Sequence, residues 1–121
     1  MIKLTFCLRR LANLTREQFQ DYWFNKHAPL VAKHREVLRI RRYVQMHTGS
    51  DAINATIAAS RGAPEPFDGV AELWWDSIDD IATNDSAEAR AAGLALLEDE
   101  RKFIDLARSP LFFGEEKTVF G

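Results

Sequence analysis

The sequence predicts an α+β domain in which four strands form one antiparallel sheet with helices packed on one side. Three observations carry that expectation. Strand-like stretches fall at residues 2–8, 40–47, 68–75 and 112–120; helix-start signals and helical spacing fall between them; and 121 residues suit one compact domain with a genuine core. Hydrophobic residues make up 46% and charged residues 28%, the composition of a chain that folds. Residues 1–121 are therefore read as a single domain.

The first strand, "IKLTFCL", sets Ile2, Leu4, Phe6 and Leu8 against Lys3, Thr5 and Cys7 with a period of two. "NLTREQF" follows, where Thr15 and Gln18 have capping-box spacing and Leu14 can staple onto Phe19, so a helix starts at Thr15. "IRRYVQMH" interleaves two sets, Ile40, Arg42, Val44, Met46 and Arg41, Tyr43, Gln45, His47. Residues 49–66 read as an insertion, a short Ala-rich helix with Asp51 as a candidate N-cap and Gly62 as its stop, then the stiff connector "APEP". "DGVAELWW" is a strand apolar on both faces. A helix begins near Ile78 and restarts after Asn84 with Asp85 and Glu88 as caps, and further turns run to Pro110 before a last strand, "FFGEEKTVF".

The order β-α-β, insertion, β-α-β is the ferredoxin-like plan. Helices cover one face of such a sheet, and apolar strand residues are spread over both, so the open face is expected to need a partner sheet. "W-x-x-x-H-A-P-L" at Trp23–Leu30, with "FCLRR", "T-R-E-Q-F", "YVQMH", "DGVAELWWDS" and "SPLFFGEEKTVFG", resembles the EthD family of dimeric α/β-barrel proteins. That resemblance implies a homodimer whose two sheets close into a barrel, with a cavity in each subunit between sheet and helices. Relatives of this barrel include isomerases, polyketide cyclases, decarboxylases, cofactor-free monooxygenases and haem-degrading enzymes. The insertion at 49–66 is the least family-like part.

His27 is the residue on which function turns. Spacing by four puts Phe19, Trp23, His27 and Val31 on one stripe, so an inward Trp23 draws the imidazole inward too. Pro29 cannot donate to the Asn25 carbonyl, so a bend is expected beside His27, with a free carbonyl to orient the ring. An imidazole takes and gives protons near neutrality; as a structural group it would simply bond that bend. Tyr43, Gln45 and His47 share one strand face, an odd set for apolar packing, and are read as a cavity lining in which Tyr43 holds a developing oxygen charge. The competing reading is a solvent or dimer face. Glu72, mid-strand, and Trp74 on its side are placed among the substrate contacts, although a plain ion pair with Arg41 or Arg42 accounts for Glu72 better than catalysis does.

A net charge of −2 gives no field for nucleic acid or anionic lipid, and no apolar run spans a membrane. The lone Cys7 forms no internal disulfide, and a cytoplasmic location is the default expectation. His27, His34, His47 and Glu72 match no metal signature, and phosphate loops and nucleophile elbows are absent, so neither metal nor cofactor is expected. The reading is a homodimeric small-molecule enzyme of a catabolic or polyketide-like pathway. Its chemistry is cofactor-independent acid/base work, an isomerase or lyase acting on an aromatic or lactone-like substrate, with His27 and Tyr43 catalytic and Trp23, Gln45, His47, Glu72 and Trp74 binding. The alternatives are a carrier of a hydrophobic intermediate in an oxidative pathway, or a cofactor-free or haem-dependent monooxygenase.

Overall fold

Alternation in β1 (Ile2–Leu8) sends Ile2, Leu4, Phe6 and Leu8 to one face, and this is the face the helices cover. The computed structural model describes residues 1–121. After β1 come α1 (Arg16–Tyr22), a π-helical turn (Trp23–His27), α2 (Ala28–Lys33), β2 (Arg42–His47), α3 (Asp51–Arg61), β3 (Gly69–Trp75), α4 (Asp79–Ala82), α5 (Ala87–Glu100) and β4 (Leu111–Gly114). The sheet order is β2-β3-β1-β4 with every pairing antiparallel, which is the ferredoxin-like arrangement.

Register decides which side chains meet. The row Tyr43, Leu73, Leu4, Phe113 lies on the helix side, and the neighbouring row Val44, Glu72, Thr5, Phe112 on the other. Two apolar clusters form under the helices: Phe6, Leu8, Phe19, Trp23, Ala71, Phe103 and Ile104, and a smaller one of Val31, Ile40 and Trp75. On the opposite face Met46 and Phe112 are more than half exposed.

The α1 start follows the capping box: the Gln18 N–H donates to Thr15 Oγ1 at 3.1 Å, and the Thr15 N–H donates back to Gln18 Oε1 at 2.9 Å. Beyond α1 the chain departs from expectation. The helix does not break at Pro29; it widens into the π turn, closed by the Ala28 N–H on the Trp23 carbonyl, and resumes with Pro29 in the first turn of α2. One residue more in the turn removes the clash a proline ring makes with the carbonyl of the preceding turn.

Gly69 lets that turn sit down on the sheet. A Cβ there would collide with the Trp23 indole and come within 2.8 Å of the Met46 carbonyl oxygen. Four boundaries differ from the sequence reading. Asp51 is the first residue of α3 and not its N-cap; the cap position falls on Ser50, in a left-handed conformation (φ +55°) with no side-chain cap bond. The N-cap of α5 is Ser86, accepting from the Ala89 N–H at 3.1 Å, where Asp85 was expected. β2 begins at Arg42 because the chain turns through a left-handed Arg39 (φ +60°) just before it. β4 ends at Gly114, not near residue 120, because Gly114 already pairs with Lys3 at the beginning of β1 and the partner strand runs out. No helix is long and apolar enough to cross a membrane.

Candidate active site

Between the two apolar clusters lies a cavity of about 240 Å³. The sheet contributes Leu4, Phe6, Leu8, Tyr43, Ala71, Leu73, Trp75 and Leu111; the helices contribute Trp23, His27, Val31, Leu96 and Glu100; Asp80, Ile81 and Asn84 stand on the α4 side. Fifteen of the 19 lining residues are hydrophobic, and none is lysine or arginine. No residue of 49–66 reaches it, so the insertion is not its lid. Volume bounds the occupant: a dry cavity of about 150 Å³ takes benzene, so this one takes a single-ring molecule and little more.

His27 is buried on the cavity wall with Phe19, Trp23 and Val31 buried on the same helical stripe. Its ring is oriented by a carboxylate, not by the expected Asn25 carbonyl: Nδ1 lies 2.8 Å from Asp99 Oδ2. The other Asp99 oxygen accepts from the Tyr22 hydroxyl at 2.6 Å, and Lys102 Nζ stands 3.6 Å away. Burial pushes Asp99 toward the neutral form, but the bonds from Tyr22 and His27 and the Lys102 charge outweigh it, and its pKa falls below the usual carboxylate value. Burial also raises the Tyr22 hydroxyl, with help from the bond to Asp99, to about 12.

Protonation follows from these partners. An ionised carboxylate only accepts, so Nδ1 carries the ring proton. Burial drives the His27 pKa below 6.5 and wins over the opposing pull of Asp99, which leaves the imidazole neutral at pH 7. Nε2 makes no hydrogen bond within the protein, and His27 lines the cavity. A neutral imidazole backed by a carboxylate has the chemistry to take up a proton.

The row on β2 is polarised by one carbonyl. The Trp23 oxygen can only accept, so the Gln45 group 3.0 Å from it is the amide nitrogen. That nitrogen also donates to the Tyr43 oxygen at 2.7 Å, and Gln45 Oε1 is left to accept from His47 Nε2 at 2.7 Å. Because Tyr43 accepts from Gln45, its own proton points elsewhere, and Tyr43 lines the cavity. Burial raises its pKa against the hydrogen bonding of Gln45 and Trp23, so it stays a phenol and a donor.

The structure therefore brings His27, Tyr43 and Trp23 to one hollow and leaves the remaining expected residues outside it. Gln45 and His47 do not line it; His47 stacks on Trp23 with centroids 4.5 Å apart, and both brace that indole and its carbonyl. Glu72 and Trp74 are on the opposite sheet face, since the register gives the cavity Leu73 and Trp75 instead. Glu72 pairs with Lys3 and not with Arg41 or Arg42. Trp74 lies between Lys3 (5.1 Å) and Arg42 (4.6 Å) and donates to Glu116 at 2.7 Å.

Asp99 and Glu100 were missed by sequence reasoning. Their signal is the spacing Ala89, Ala92, Leu96, Asp99, Phe103, a stripe that carries an acid inward at its fourth position. Glu100, next to it, lines the cavity, and burial followed by the nearby Asp99 charge raises its carboxyl from 4.5 to about 7.

Fold and cavity define a class: a ferredoxin-like domain enclosing an apolar hollow with a carboxylate-backed imidazole on its wall. The EthD domain matches residues 11–107, and the chain belongs to the EthD family. An EthD-family protein of Bacillus halodurans is 24% identical, with 97% of this chain and 99% of that one covered and a TM-score of 0.62. An EthD-like protein of Ralstonia eutropha is 18% identical, covering 94% and 89%, with a TM-score of 0.57. A protein of Bacteroides fragilis described as dimeric, of unknown function and ferredoxin-like in fold, is 12% identical, covering 95% of each chain, with a TM-score of 0.59. No curated protein matches the chain.

Proposed function

We propose that the chain is a proton-transfer enzyme, of isomerase or lyase type, acting without a cofactor on a small aromatic or lactone-like carbonyl compound. The observation that supports this most strongly is the buried His27–Asp99 pair on the cavity wall, with Nε2 left without a partner in the protein. Nε2 takes a proton from the carbon next to the substrate carbonyl, the electron pair moves onto oxygen, and the Tyr43 hydroxyl donates a hydrogen bond to the resulting enolate. Return of the proton to another carbon completes an isomerisation; loss of a leaving group completes an elimination. The functional unit of the proposal is a homodimer joined through the open sheet face, in keeping with the exposed Met46 and Phe112 there and with the dimeric Bacteroides neighbour.

The test needs no knowledge of the natural substrate. Deuterium exchange at the carbon next to the carbonyl of small aryl ketones, followed by NMR, is expected to be catalysed by the protein and to fall about 100-fold or more in His27→Ala. Far-UV circular dichroism should be unchanged. Equal exchange in wild type and variant removes His27 from the mechanism. A ketone that binds without exchanging favours instead a carrier of a hydrophobic intermediate.

A further inference from the structure

The mechanism above leaves Glu100 unused. Glu100 lines a mostly apolar cavity, and its carboxyl makes no hydrogen bond or ion pair within the protein. Around it the groups able to carry charge are acids or neutral at pH 7. Asp99 precedes it on α5, Asp80 stands on the wall from α4, His27 faces in from the π turn and Tyr43 from β2. Lys102, two residues further along, is turned to Asp99 and largely exposed. Of the arginines near the strand ends, Arg9 lies over Phe67 at 4.4 Å, Arg35 is turned to Glu36 at 3.8 Å, Arg41 pairs with Asp76 at 2.8 Å, Arg42 lies over Trp74, and Arg39, beside the wall, donates to the Asp80 carbonyl at 3.4 Å and to Thr83 at 3.3 Å; none of them lines the cavity.

A bound anion would therefore meet no lysine or arginine on the cavity wall and at least one negative charge, in a low-dielectric space where like charges repel strongly. We propose that Glu100 sets the charge specificity of the cavity, which admits uncharged single-ring molecules and excludes carboxylates of the same shape once Glu100 is ionised. The inference rests on the cavity being a ligand site, as the proposed function requires. It narrows that reading to neutral substrates. Because the Glu100 carboxyl changes charge near pH 7, the exclusion strengthens through neutrality.

Trp23 and Trp75 line the cavity and report occupancy by fluorescence quenching. The probes are phenylacetamide and phenylacetate, matched in shape, titrated between about pH 5.5 and 8.5, where the acetate stays ionised. The amide is expected to bind with little pH dependence. The acetate is expected to bind about tenfold more weakly at the alkaline end, the gap closing to about threefold at the acid end. In Glu100→Gln the gap should be small and flat, which separates Glu100 from the His27 titration. Equal binding of both probes across the range overturns the proposal alone, as does a gap that is the same in wild type and variant. If neither probe binds, the ligand site itself falls, and the enzymatic reading with it.

Discussion

At the scale of the residue, the site is a set of pKa values set by burial. Glu100 gives the clearest sign. Its carboxyl is raised from 4.5 to about 7, so the folded state holds a proton that the unfolded chain releases, and stability falls as pH rises from about 4.5 to 7. Glu100→Gln removes that loss; it is expected to stabilise the protein by roughly 1–3 kcal/mol at pH 8 and to be nearly neutral at pH 4, as read by urea unfolding. Asp99 acts through His27. Asp99→Asn places an amide N–H against Nδ1, forces the wrong tautomer, and is expected to lower ketone exchange about 100-fold with the fold intact. Tyr22→Phe takes one donor from Asp99, making the carboxylate a stronger partner for the imidazolium. The acid limb of the exchange-rate profile should then move up by about half a pH unit; a shift the other way would contradict the Tyr22–Asp99–His27 chain.

At the scale of the element, the π turn does most of the positioning. It seats Trp23 against Gly69, exposes its carbonyl to Gln45 and carries His27 across to α5. Gly69→Ala should displace the indole, destabilising the protein by about 1–3 kcal/mol and weakening phenylacetamide binding, whereas Gly93→Ala in α5, where a Cβ meets nothing within 4 Å, should be neutral or stabilising. Comparable midpoints for the two variants would mean that the Trp23 seat is not tight. The insertion plays no part at this scale: α3 has no buried residue and is tethered by Asp51 to Arg16 at 2.6 Å, away from the cavity.

At the scale of the whole molecule, the sheet has a covered face and an open one, and the two differ in chemistry. On the open face Val44 and Met46 on β2, with Val70 beside Met46, and Phe112 on β4 are apolar, and the Lys3–Glu72 pair and the Arg42–Trp74 contact lie on the strands between them. If two copies join there, Met46→Lys buries an unpaired charge at the seam and should convert the dimer to monomer in sedimentation equilibrium, leaving probe binding within about threefold of wild type because the cavity lies on the other face. A variant of unchanged mass would move the interface elsewhere.

What could be read along the chain was whatever depends on neighbours a few residues away. Strand alternation at Ile2–Leu8, the Thr15 capping box and the four-residue stripe that buries His27 are properties of a local backbone repeat, and local repeats are written in spacing. The acid behind the imidazole is 72 positions away, in a run, "LEDERK", whose charges look solvated until packing of α5 on the π turn chooses Asp99 and Glu100 from among them. The choice of Trp75 over Trp74 for the cavity is likewise a matter of register with β1, where a shift of one residue reverses every side chain. Long-range pairing has no period of its own, which is why the polarity of the site emerges only once the chain is folded.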